Sequence, residues 1–131
     1  MKRNEKEDII AYKMRRARGT LIEAELMLQN NYFNAAANRM YYACFYAVSA
    51  LLINNNIGAR KHSGVIQMFG LHFVATGIVN KETGKLYTEL FDMRQSGDYM
   101  DFIDFEESDV KSLIVPTREF INQIEQILSK Q

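Results

Sequence analysis

The sequence predicts an all-α fold, and three observations carry the prediction. Apolar side chains recur at three- and four-residue spacings through nearly the whole chain. No run of Val, Ile and Thr alternates with polar residues between turn signals, and there is a single proline. The 131 residues, 47% hydrophobic and 24% charged, fit one domain. Folding at this size buries roughly two-thirds of the extended chain's surface, enough to hold a core without metal or disulfide. The lone Cys44 has no bridging partner, and its apolar neighbourhood suggests a buried thiol in a reducing compartment.

The elements follow in order. Ile10, Met14, Ala17, Leu21, Ala24 and Leu28 form one apolar stripe, which predicts a first helix from Glu5 to Gln29, in a bundle rather than a coiled coil. Asn30-Asn31 breaks it. A second helix, Asn34 to Leu52, carries Ala36, Met40, Ala43, Ala47 and Leu51 on one face, with Tyr42, Phe45, Tyr46 and Ala50 covering much of the rest. A helix apolar nearly all round is either the central one or has a flank covered by a second subunit. Asn54-Asn55-Asn56 and Gly58 end it. A third helix, Ser63 to Val74, has Val65, Ile66, Phe69 and Phe73 at helical spacing, Ser63 as N-cap and Gly77 just past its end. The fourth, Lys81 to Ser96, points Leu86, Leu90, Phe91 and Met93 inward and stops at Gly97. The stretch GDYMDFIDFEESD reads as a loop pinned by Tyr99, Phe102 and Phe105. A last helix from Ser108 to Ser129, capped by Ser108, is expected to kink at Pro116 unless that proline opens a separate helix.

Sixteen Lys and Arg balance sixteen Asp and Glu, so no strong attraction to nucleic acid is expected over the whole surface. The average hides an asymmetry. Residues 1–18 carry seven cations and three anions, whereas Glu89 to Asp109 carries eight anions and only Arg94 as a cation. The apolar run from Met40 to Ile53 rises about 21 Å as a helix, short of the ~30 Å hydrocarbon core. The N-terminus has no apolar secretory segment, so a cytoplasmic location is expected.

Neither a glycine-rich phosphate loop, nor Cys or His pairs at ligand spacing, nor a Gly-x-Ser-x-Gly elbow occurs, so no metal or cofactor is expected. His62 reads as a cap or hydrogen-bonding residue near a helix start, and His72 as a surface or satisfied interior histidine. Two clusters draw attention. Asn38-Arg39 opens the most apolar helix, where a guanidinium needs an anionic partner. Arg94, followed by Asp98 and Tyr99, is the one cation of the acidic stretch. Both arginines either tie helices together through local carboxylates or form an anion pocket, with forked guanidinium donors and the Tyr99 hydroxyl.

The segments NRMYYACFYAVSALL (38–52), KHSGVIQMFGLHFVATG (61–77) and MRQSGDY (93–99), in this order and spacing, resemble the HEPN family over roughly residues 5–130. The resemblance implies an up-and-down bundle of four main helices plus a shorter one. It also implies a homodimer, frequently paired with a minimal nucleotidyltransferase as a toxin–antitoxin system, and in active members metal-independent cleavage of RNA at a cleft between subunits. Active members carry Arg followed after four to six residues by His. Arg94 matches the arginine, Tyr99 stands where the histidine falls, and no histidine follows His72. A phenol titrating near 10 is a poor general acid or base at neutral pH.

Three readings follow. The first is a HEPN-type dimer that binds a nucleotide, an RNA or a nucleotidyltransferase through Asn38, Arg39, Arg94, Asp98 and Tyr99, with little nuclease activity. The second is a working ribonuclease toxin with Arg94 and Tyr99 as catalytic residues, and the third a helical scaffold whose arginines are salt-bridge partners. The first expects the Arg94 guanidinium to lie in a groove between subunits, facing an anion the chain does not supply.

Overall fold

The computed structural model describes residues 3–100 and 103–131, which form α1 (Arg3–Gln29), α2 (Phe33–Asn54), α3 (Lys61–Phe69), α4 (Lys81–Tyr99), α5 (Glu107–Lys111) and α6 (Ile114–Ser129). Among these residues there is no strand, and the fold is all-α as expected. None of their helices is long and apolar enough to cross a membrane.

α2 is the centre. Its Ala36, Ala37, Met40, Tyr41, Ala43, Cys44, Ala47, Val48, Ala50 and Leu51 are fully buried. Met14, Ala17, Leu21 and Ala24 of α1 join them in one core with Leu86, Tyr87 and Leu90 of α4 and Phe120, Ile121 and Ile124 of α6. The all-round apolarity of α2 is therefore met within one chain and does not itself require a second subunit. Alanines admit α1 closely, while aromatic rings fill the wider space. Tyr41 stacks on Tyr87 at 5.8 Å, and Phe69 meets Phe73, Tyr87 and Phe120 at 5.8–6.1 Å. Burial pushes the Cys44 thiol well above its ordinary range, which leaves it an inert core group.

Two helix ends are made by asparagine. Asn31 (φ 65°) and Asn56 (φ 57°) take the left-handed conformation. Tyr32 N then donates to Met27 O and Asn31 N to Leu28 O, just as Ile57 N donates to Leu52 O and Asn56 N to Ile53 O. These are Schellman closures, in which asparagine tolerates the conformation glycine usually supplies.

The remaining boundaries differ from expectation in instructive ways. α3 starts at Lys61 with no side-chain cap, so Ser63 is a residue of its first turn rather than its N-cap. Its continuation, Gly70–Val74, is a π turn closed by Ala75 N donating to Gly70 O at 2.8 Å. Asn80 caps α4 by accepting from Thr83 N at 2.8 Å. Gly97 does not stop α4, which runs to Tyr99; the missing side chain instead admits the Phe105 ring. A capping box between Glu106 and Asp109 starts α5, displacing Ser108 from that role. Pro116 lies in the first turn of the separate helix α6, where its missing N–H costs little, so there is no kinked long helix. Phe102 lies outside the described residues.

The glycines of α1 and α4 make this packing testable. A Cβ at Gly19 meets nothing within 4 Å, whereas one at Gly84 falls 2.7 Å from Val74 Cγ2 and 3.2 Å from Cγ1. Gly19→Ala is expected to stabilise by about 1 kcal/mol through helix propensity. Gly84→Ala meets an overpacking cost of about 1–3 kcal/mol that cancels or outweighs the same gain. Urea denaturation of both variants checks the contrast, and a stabilised Gly84→Ala contradicts it.

Candidate functional site

The site is built where the start of α2 meets the end of α4. Asn34 ties the two together: its Nδ2 donates to Ile103 O at 2.9 Å and its Oδ1 accepts from Phe105 N at 2.8 Å. The chain leaving α4 is thereby held against α2, which places Asp98 beside Asn38.

All five residues singled out in the sequence come together here. Asn38 Nδ2 donates to Asp98 Oδ2 at 2.7 Å, and Arg39 donates to Asn38 Oδ1 from Nε and Nη2 at 2.9 and 2.6 Å. Arg94 Nη2 donates to the hydroxyls of Tyr99 and Tyr42, both at 3.0 Å. Arg94 Nε lies 3.4 Å from Asp98 Oδ2, an ionic contact without hydrogen-bond geometry. At the far end Arg39 Nη1 reaches Glu23 of α1 at 3.4 Å. A continuous polar chain thus runs from Glu23 through Arg39, Asn38 and Asp98 to Arg94 and Tyr99.

Arg94 is only 8% exposed. Its guanidinium carbon lies 5.6, 5.3 and 5.2 Å from the ring centres of Tyr41, Tyr42 and Tyr99, so three electron-rich faces and two phenolic oxygens surround it. This corrects the expectation of a guanidinium waiting for an anion the chain does not supply: Asp98 and two phenols already hold it. Arg39 finds its partners locally as well, in Glu23, Asn38 and the Tyr42 ring at 5.2 Å. The site still opens outward at one edge, because Tyr99 is 67% exposed.

Tyr41, Tyr42 and His62 were not picked out from the sequence as site residues. Arg39 and Tyr42 are three apart on one helix, a spacing that brings their side chains onto one face. The His62 contact crosses between α2 and α3, and no local pattern announces it. Tyr41 OH lies 2.6 Å from His62 Nδ1, and the histidine ring lies 4.8 Å from Phe45 and 5.7 Å from Tyr42. Burial pushes the Tyr41 phenol up to about 12, so it stays protonated, and we assign it as donor to Nδ1. Burial first, and then the nearby Arg94 charge, lowers the His62 pKa below its ordinary 6.5, favouring the neutral ring. His72 is exposed. Among the described residues no three His, Cys, Asp or Glu side chains gather as a metal site.

The lowered His62 pKa has a stability consequence of definite sign. The unfolded chain takes up a proton at this histidine more readily than the folded one, so stability falls as pH drops from 7.5 through 6.5. His62→Asn removes that contribution. Urea midpoints at pH 7.5 and 5.5 are expected to fall less in the variant than in the parent, and equal falls would contradict the assignment.

The comparisons with known proteins agree with this architecture. The HEPN domain profile matches residues 10–127. A Thermotoga maritima protein named UPF0332 protein is 48% identical over 125 residues, covering 95% of each chain. Two Methanocaldococcus jannaschii proteins, each bearing the name "Putative toxin", are 33% and 30% identical. They match 87% and 86% of this chain, and the matches cover 84% and 77% of their own lengths. With a profile spanning nearly the whole bundle and relatives of similar extent, the chain belongs to the HEPN domain family.

Proposed function

We propose that the chain is the HEPN-type component of a toxin–antitoxin pair, a homodimer that binds single-stranded RNA through the Arg94 cluster. The observation that carries this reading is the position of Asp98. One carboxylate oxygen receives the Asn38 amide at 2.7 Å and stands 3.4 Å from the Arg94 guanidinium, a place suited equally to a phosphate oxygen. The Asp98 side chain is 28% exposed, contacts Arg94 ionically without a hydrogen bond and is held otherwise by the Asn38 amide, so a phosphodiester that takes over both contacts can displace it. Tyr99, exposed beside the guanidinium, offers a ring for an unstacked base. The names of the two Methanocaldococcus relatives support the toxin assignment. Tyr12, Ile22 and Leu26, exposed along α1, supply apolar surface for the second copy, and a minimal nucleotidyltransferase is the protein partner this reading expects.

A second reading, metal-independent RNA cleavage, is favoured by one contact the motif spacing does not reveal. His62 joins the Arg94 cluster through Tyr41 and Tyr42 and offers a ring nitrogen that Tyr99 lacks.

Fluorescence anisotropy with labelled single-stranded RNA tests the first reading. Arg94→Ala is expected to weaken binding about tenfold or more, and Asp98→Ala to strengthen it, since the competing carboxylate is gone. Undiminished binding by Arg94→Ala refutes it. The same RNA incubated in EDTA separates the second reading: cleavage lost in both Arg94→Ala and His62→Ala supports it, and intact RNA with the parent protein rejects it.

A further inference from the structure

α1, the end of α2, the loop that follows it and the start of α3 line an open pocket of about 400 Å3 that includes His62 and neither Arg94 nor Asp98. Phe45, Leu52, Ile53, Ile57 and Val65 supply apolar lining, while Lys13, Lys61, Ser49 and His62 bring polar groups to it. No carboxylate lines it. Lys13 and Lys61 have neither an ion pair nor a side-chain hydrogen bond among the described residues. Two lysines and no carboxylate line this one pocket, so it favours an anion over a cation or a neutral ligand.

The backbone adds an independent observation. Lys61 has φ 60°, the left-handed region that disfavours every side chain but suits glycine. A lysine in that conformation at the mouth of a cavity is local strain of the kind that collects at binding sites. Tyr41 holds the His62 ring at Nδ1, and that ring forms part of the pocket's lining.

We propose that this cavity binds a phosphate monoester carried on a small apolar or planar body. The charge count selects the monoester: its dianion matches two ammonium groups, whereas a phosphodiester carries one negative charge. The apolar lining selects a ligand with a hydrophobic portion over phosphate alone, and the volume is at the small end of ligand pockets. The site uses neither Arg94 nor Asp98, so it stands whether or not RNA binds there. Free small monoesters and the phosphorylated end of an RNA strand share this chemistry.

Calorimetric titration of the full chain at pH 7.5 tests the proposal with phenyl phosphate, inorganic phosphate and methyl phenyl phosphate. Phenyl phosphate is expected to bind about tenfold tighter than either of the others, because only it combines the dianion with a ring. Lys13→Gln and Lys61→Gly, the latter keeping the left-handed backbone at ease, should each weaken it about tenfold, while Lys111→Gln leaves it unchanged. Circular dichroism confirms that the variants fold. No binding of phenyl phosphate, binding no tighter than that of the diester, or binding indifferent to both lysine variants overturns the proposal. RNA hexamers with 5′-phosphate or 5′-hydroxyl ends then distinguish the source. A preference for the phosphorylated end, lost in Lys61→Gly, assigns a strand end; equal binding alongside tight phenyl phosphate assigns a free monoester.

Discussion

Burying α2 on all sides is the constraint from which the rest of the structure follows. A helix whose side chains are apolar around most of its circumference has to be surrounded, and in a chain of 131 residues only a wrap by the other helices achieves this. Alanines bring α1 close on one side, and the larger rings of Tyr41, Tyr87, Phe69 and Phe120 fill the space elsewhere. The same helix carries Asn34, Asn38 and Arg39 near its beginning, where Asn34 and Asn38 bond the end of α4 and the chain leaving it. Site and core are thus two stretches of one helix, and the rigidity of the second positions the first.

Taking a guanidinium out of water demands compensation, and Arg94 obtains it from three aromatic rings, two phenolic oxygens and a carboxylate. That arrangement makes the cluster nearly neutral within a single chain, with Glu23 and Asp98 against Arg39 and Arg94. Structural tie and anion site are not exclusive roles for such a cluster. Asp98, held by one hydrogen bond from Asn38 and an ionic contact to Arg94, is easier to displace than a carboxylate held by several hydrogen bonds. The Lys13–Lys61 cavity is the opposite case, two cations with no internal anion, joined to the first by the single histidine ring that borders both.

The helices were legible in the sequence because they rest on periodicity, and so were the two clusters Asn38-Arg39 and Arg94-Asp98-Tyr99 as places where a cation needs a partner; that they join into one site depends on how α4 lies against α2. Boundaries were less legible. Ser63, Gly97 and Ser108 look like punctuation by residue type, yet Lys61 starts its helix without a cap, Gly97 serves a contact with Phe105, and Glu106 with Asp109 outcompetes Ser108. Tertiary contacts decided each case. Tyr41 and His62 are twenty-one residues apart, and their bond depends on how α3 lies against α2, which no local pattern specifies.

The wide turn at Gly70–Val74 carries a mechanical meaning of its own. Its bond from Ala75 back to Gly70 encloses one more residue than an α turn does. Without that extra residue everything downstream would swing by about 100° about the helix axis. The turn is a torsional shim: Phe69 and Phe73, four apart, share a face in an α-helix as well, and the extra residue instead resets the direction in which the chain leaves toward the buried Val79.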